Sequence, residues 1–169
     1  MAGIDAKLTF HPLRIAVLTI SDTRDEQSDK SGALLVDQLK RAGHELAGKA
    51  IVRDEVEAIR AQVKAWVEGE DVDLIISTGG TGFAPRDVTP EATARVVERA
   101  TPGLDEHMRA VSIAVSPHGM LSRGRSGIAG SALIVNFPGS PKACAELFDA
   151  VAPALDHGLK LLLDLPTAH

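Results

Sequence analysis

The chain has 169 residues, enough to bury one core of its own, and its 44% of hydrophobic residues is ordinary for a globular protein. A net charge of −5 argues against a general nucleic-acid or anionic-membrane surface, because those partners reward a basic excess. Cys144 is alone, so no internal disulfide can form, and no segment approaches membrane-spanning length; the expectation is a cytoplasmic protein without nucleic acid or membrane as partner.

In chain order, residues 1–12 hold no apolar run of signal-peptide length and read as a flexible N-terminal arm, leaving residues 13–169 as a single domain. Residues 14–20 form a continuous, β-branched apolar run, as in a strand buried on both faces of a parallel sheet. A polar run follows. Ser31 and Gly32 then open a helix to about Ala42, with Leu35 and Leu39 on one face and Gly43 placed to end it. Residues 44–52 read as a less apolar edge strand. Val56, Ile59, Val63, Trp66 and Val67 lay one apolar stripe along a helix over residues 55–68, which makes Trp66 a core residue.

Leu74-Ile75-Ile76 is a further buried strand. Beyond Pro90, helices over residues 90–99 and 104–115 are interrupted by Thr101-Pro102-Gly103, and residues 116–130 are a polar stretch. Residues 132–137 form the last buried strand. Pro138-Gly139-Ser140-Pro141 turns it into a final helix capped by Ser140, which Pro153 should kink or split. Strands alternating with helices give an α/β protein, a three-layer α/β/α fold with a mainly parallel sheet.

The chemistry concentrates between Ser77 and Pro90. Gly79, Gly80 and Gly82 lack a Cβ, so the turn reaches φ > 0 and its amides approach a ligand closely, a nest that favours an anion. Thr89 as N-cap with Pro90 at the first helical position adds the positive end of a helix dipole. Arg86 between them can fork onto phosphate oxygens, and Asp87 is a magnesium ligand by type. The plainer alternative is a strand-to-helix loop that uses glycines anyway, with Arg86 paired to Asp87. No lysine follows the glycines as a Walker loop requires, and Pro85 stands where a dinucleotide fingerprint needs its third glycine.

In wound sheets ligands bind beyond the carboxyl ends of the strands, so Ser21-Asp22, Arg53-Asp54, the Gly79 loop and Pro138-Gly139 should converge on one rim. Asp54 either caps the helix after it or joins Asp87 around magnesium; Ser21 and Asp22 can equally start a turn. Ser122-Arg123-Gly124-Arg125-Ser126-Gly127 is a second phosphate cradle or a solvated loop. Phe83 either stacks on a ring or anchors its loop. The six histidines lack transition-metal spacing, and no Ser-His-Asp order stands out.

Thr78-Gly79-Gly80-Thr81-Gly82, Arg86-Asp87-Val88-Thr89-Pro90-Glu91-Ala92-Thr93, Pro102-Gly103, Met120-Leu121-Ser122-Arg123 and Asn136-Phe137-Pro138-Gly139-Ser140-Pro141 occur in that order. Together they resemble the molybdopterin-binding domain family, over residue 14 to about residue 163. Within it the chain looks most like the branch of molybdenum cofactor biosynthesis protein B and molybdopterin adenylyltransferase, also represented by one domain of gephyrin. The resemblance implies the fold of that domain and transfer of AMP from ATP to the terminal phosphate of molybdopterin, with magnesium and with release of pyrophosphate. The alternative is a protein of the same pathway that binds molybdopterin without chemistry. It implies Asp54 and Asp87 as catalytic, metal-holding carboxylates. Thr78, Gly79, Gly80, Thr81, Gly82, Arg86, Pro138, Gly139 and Ser140 fall to the phosphates and nucleotide, and Ser21, Asp22, Ser122 and Arg123 to the pterin. It also implies a homo-oligomer, trimer or dimer of trimers, working beside other cofactor-biosynthesis enzymes.

Overall fold

The structure is a computed structural model and describes residues 10–167. Most of the arm expected over residues 1–12 lies outside the described residues. Six strands form one sheet in the order β2-β1-β3-β6-β5-β4. They are β1 (Arg14–Ile20), β2 (Glu45–Val52), β3 (Leu74–Thr78), β4 (Arg99–Ala100), β5 (Ser126–Ala129) and β6 (Ala132–Phe137). The first four in that order run parallel; β5 and β4 are antiparallel additions at one edge.

The apolar runs are continuous because both faces are covered. Ile15, Val17, Leu74, Ile76, Val135 and Phe137 point into one cluster with α1 (Lys30–Arg41), α4 (Pro102–Val115) and α5 (Pro141–Leu162). Ala16, Leu18, Ile20, Ile75 and Ile134 point into the other, beneath α2 (Val56–Gly69) and the short α3 (Thr89–Ala94). The period of two sends alternate residues to opposite layers, which builds the three-layer architecture. Trp66 packs partly buried against the second cluster, its indole edge filling the space where Gly48 lacks a Cβ.

Several elements differ from the sequence expectation. Helix α1 begins at Lys30 and is capped by Asp29, whose side chain accepts from the Gly32 amide and from Thr19 Oγ1; this acid is buried and held by β1, a tertiary contact. The helix expected over residues 90–99 ends at Ala94, and Arg99–Ala100 becomes edge strand β4. Within the polar stretch 116–130 lie a 3-10 turn (Pro117–Leu121) and β5. Strand β5 is only four residues long and holds a serine and a glycine, too little for an apolar run to show. Thr89 is not the cap of α3: Val88 holds that position, and Thr89 Oγ1 donates to the Gly79 carbonyl instead. Pro153 does not split α5. It sits on the exposed side, while Val151, Leu155 and Leu159 keep the helix seated on the core.

Candidate functional site

The carboxyl ends of β1, β2, β3 and β6 share one rim, and the loops leaving them meet there. Gly79 (φ 103°) and Gly80 (φ 67°) take left-handed backbone that side-chain-bearing residues rarely adopt. The turn is clamped on every side. Gly79 N donates to Phe137 O (3.1 Å), Thr78 Oγ1 to Pro138 O (2.7 Å), and a Cβ on Gly139 would stand only 3.6 Å from Gly79 Cα.

Two carboxylates face the glycines. A Cβ on Gly80 would lie 3.1 Å from Asp54 Oδ1, and one on Gly82 would lie 2.9 Å from Asp87 Oδ2. Asp87 Oδ2 accepts from the Ala84 amide (3.0 Å) and so folds its own loop. Asp54 does not cap α2; Glu55 holds the N-cap position. The third acid, Asp22, accepts from the Asp54 amide (3.2 Å) and takes Arg86 in a bidentate fork, Nε to Oδ2 and Nη2 to Oδ1, both 2.8 Å.

That fork lowers the pKa of the Asp22 carboxyl and raises that of the Arg86 guanidinium. Asp54 moves the other way: burial, then the charges of Asp22 and Asp87, push its carboxyl above the ordinary range. A raised folded-state value means that the folded chain holds this proton longer than the unfolded chain, so stability falls as pH rises from the ordinary carboxylate range through the raised value. Asp54→Asn should therefore raise Tm at pH 7, and the gain should shrink as the pH approaches 4, where Asp54 is being neutralised anyway. Thermal melts of both proteins at the two pH values check this; an Asn variant that melts lower at pH 7 contradicts it.

Ser21 Oγ accepts from the Thr23 and Arg24 amides, making the turn after β1. Arg123 is spent on the protein: its guanidinium donates to the carbonyls of Gly82 (2.8 Å) and Asp87 (2.6 Å) and pairs with Glu91, while its amide donates to Thr81 O. It fixes the glycine loop from behind. Ser122 instead lines a groove of about 430 Å³ together with Thr81, Gly82, Pro138 and Ser140, with mainly apolar walls from α4 and α5. Ser21 and Asp22 are not among the lining residues. Phe83 stands exposed in the loop. Cys144 is buried, its thiol pushed up to about 11 by burial, and it donates to Pro138 O (3.1 Å).

Sequence reasoning passed over three residues here. Arg24 donates to Ser31 Oγ (2.7 Å) and to Gly139 O (3.2 and 3.3 Å), and no carboxylate of the described residues pairs with it. Its signal was position, two residues past Asp22 in a rim loop. Asp105 and Arg109 border the groove, and Asp105 shares the buried side of α4 with Met108. An acid three residues from a buried methionine was the available sign.

A doubly wound sheet whose rim joins a glycine nest, three aspartates and a groove of small-molecule size defines a small-molecule-binding α/β protein. Residues 16–157 match the family described as "Probable molybdopterin binding domain". Molybdenum cofactor biosynthesis protein B of Escherichia coli K12 is 42% identical, over 87% of this chain and 88% of that protein. The molybdenum cofactor synthesis protein cinnamon of Drosophila melanogaster is 41% identical over 90% of this chain, which spans only 26% of that longer protein. The crystal structure of the molybdopterin biosynthesis enzyme MoaB from Thermus thermophilus superposes with a TM-score of 0.84 at 42% identity, covering 91% of this chain and 98% of that one. The chain belongs to the molybdopterin-binding domain family of molybdenum cofactor biosynthesis, on the MoaB side of it. No helix of the described residues is long and apolar enough to cross a membrane.

Proposed function

We propose that the protein adenylylates molybdopterin, transferring AMP from ATP to the terminal phosphate of the pterin side chain with release of pyrophosphate. The observation that carries this reading is the approach of Asp54 and Asp87 to Gly80 and Gly82: two carboxylates beside a nest of amides. Among the described residues no group of three or more His, Cys, Asp or Glu is placed to hold a metal. Two carboxylates completed by phosphate oxygens and water suit magnesium, which takes few protein ligands. When bound, the ion would neutralise charge on the triphosphate.

A terminal phosphate oxygen of molybdopterin attacks the α-phosphorus of ATP; the new O–P bond forms as the bond to the β-phosphate bridging oxygen breaks, and pyrophosphate leaves. No base is needed, because a phosphate monoester is an anion near neutral pH. The barrier lies in bringing anions together, so the chain contributes position and charge: Asp54 and Asp87 would hold the metal, and the Gly79 to Gly82 amides with Thr78 and Thr81 shape the phosphate site. Pro138, Gly139 and Ser140 close its far side, beside the unpaired cation of Arg24. Arg86 meets phosphate only by giving up Asp22. The pterin takes the groove at Ser122; Arg123 supports it through the loop, and Ser21 and Asp22 act from the opposite part of the rim. Exposed Ile113, Val115, Met120 and Leu121 support a homo-oligomer, a trimer or a dimer of trimers, and the lone buried Cys144 fits a reducing cytoplasm.

Incubation of the pure protein with molybdopterin, ATP and magnesium should release pyrophosphate in step with adenylylated pterin. The name of protein B of Escherichia coli specifies cofactor biosynthesis and no adenylylation, which leaves one second reading, a protein that holds molybdopterin without chemistry. Retained pterin without pyrophosphate would decide for it.

A further inference from the structure

We propose that Asp105 determines ligand specificity in the groove: its carboxylate accepts two parallel hydrogen bonds from the N–H edge of a 2-amino-4-oxopyrimidine ring, the edge a pterin presents. The inference rests on the reading that the groove takes the pterin. Asp105 stands in the first turn of α4 and is only 8% exposed, yet its Oδ1 is buried without a hydrogen-bond partner. Buried carboxylate oxygens are nearly always satisfied, so this one calls for a reason.

Its neighbours leave that one oxygen unsatisfied, whatever the Ser126 amide and hydroxyl give the carboxylate as a whole. The Ser126 hydroxyl spends its proton on Thr101 O (2.9 Å) and accepts from Thr101 Oγ1 (2.7 Å). Arg109, one turn further along α4, turns its Nη1 to Gly124 O (2.9 Å), and neither it nor Arg125 closes an ion pair with Asp105. Helix α4 gains nothing from burying an acid in its first turn, since an exposed one would serve the helix dipole as well. Burial raises the carboxyl's pKa, while hydrogen bonding to the Ser126 side chain and amide and the charges of Arg109 and Arg125 pull it back.

What Asp105 does border is space. It lines the groove of about 430 Å³ on one side and a more polar cavity of about 590 Å³, beside Arg123 and Arg125, on the other. A carboxyl turns about a broad two-fold torsion, so either oxygen can face the groove. The groove also reaches Gly82, Ser122 and Pro138, so a ring seated against Asp105 has its substituent directed to the phosphate turn. Two adjacent N–H donors, the exocyclic 2-amino group and the ring N3–H, match a carboxylate's two acceptor oxygens; an amide offers one acceptor and one donor and cannot match both.

The test is equilibrium binding of two fluorescent probes, pterin and lumazine, which differ at the 2-position, amino against oxo. Wild-type protein should bind pterin at least ~10-fold more tightly, since a site built to hydrogen-bond a donor rejects the analogue lacking it. Asp105→Asn and Asp105→Ala should lose most of that preference, with pterin affinity falling further than lumazine affinity and with ATP affinity and Tm close to wild type. A folded Asp105→Ala protein that keeps the preference overturns the assignment. Should neither variant fold, the wild-type comparison decides alone: equal affinity for both probes refutes Asp105 while leaving the groove a heterocycle site. Wild-type protein that binds neither probe refutes the assignment through the groove itself, and the pyrophosphate assay then shows separately whether the adenylylation reading survives.

Discussion

Asp87→Asn is expected to lower pyrophosphate release from molybdopterin and Mg-ATP by about two to three orders of magnitude, the range seen when one preorganised electrostatic contact is removed from a transition state. Tm should stay within a few degrees. The loop-shaping bonds of this residue survive the change: its amide donates to Ala84 O (2.9 Å), its carbonyl accepts from Arg123, and the acceptor oxygen facing the Ala84 amide exists in asparagine too. Only charge is lost, at the position beside Gly82 where the triphosphate would be neutralised. One further readout separates charge from shape. Asp87 is among the charges that raise Asp54, so its removal should bring the Asp54 carboxyl back toward its ordinary range. Full activity in a folded Asp87→Asn protein would end its role at the metal.

The contrast with Asp54 shows what the sequence disclosed. Both acids could be placed on the rim because each lies in a loop leaving a strand end, Asp54 after β2 and Asp87 after β3, and wound sheets gather such loops on one side. The glycine turn was readable because glycine takes the positive-φ backbone of Gly79 and Gly80 far more readily than residues with a side chain. β1, β3 and β6 were readable because burial on both faces leaves an uninterrupted apolar run. Partners distant in sequence were not. Arg86 stands next to Asp87 in the chain, yet its fork closes on Asp22, 64 residues away. Asp29 looked like one polar residue among many until Thr19 and Gly32 closed on it. β5 hid behind Ser126 and Gly127: it is only four residues long, and Gly127 is small because Val97 packs where its Cβ would be.

Gly79→Ala should be the most damaging single methyl in the chain. At φ 103° an alanine is strained before any contact is considered, and its Cβ would stand 2.4 Å from the carbonyl oxygen of Ile20. That oxygen cannot retreat, because β1 is the inner strand between β2 and β3 and its end is fixed from both sides. Strained backbone and overpacking together come to about 3–5 kcal/mol. At roughly 2–4 °C per kcal/mol for a domain of this size, Tm should fall by about 10 °C. Gly158→Ala is the matched control: the glycine is exposed inside α5, nothing lies within 4 Å of an added Cβ, and alanine should stabilise the helix by about 0.5–1 kcal/mol. The pair also separates packing from chemistry. If Gly79→Ala melts like the parent, the turn can relax away from Ile20, and a nest free to relax would not hold its amides in place for a phosphate.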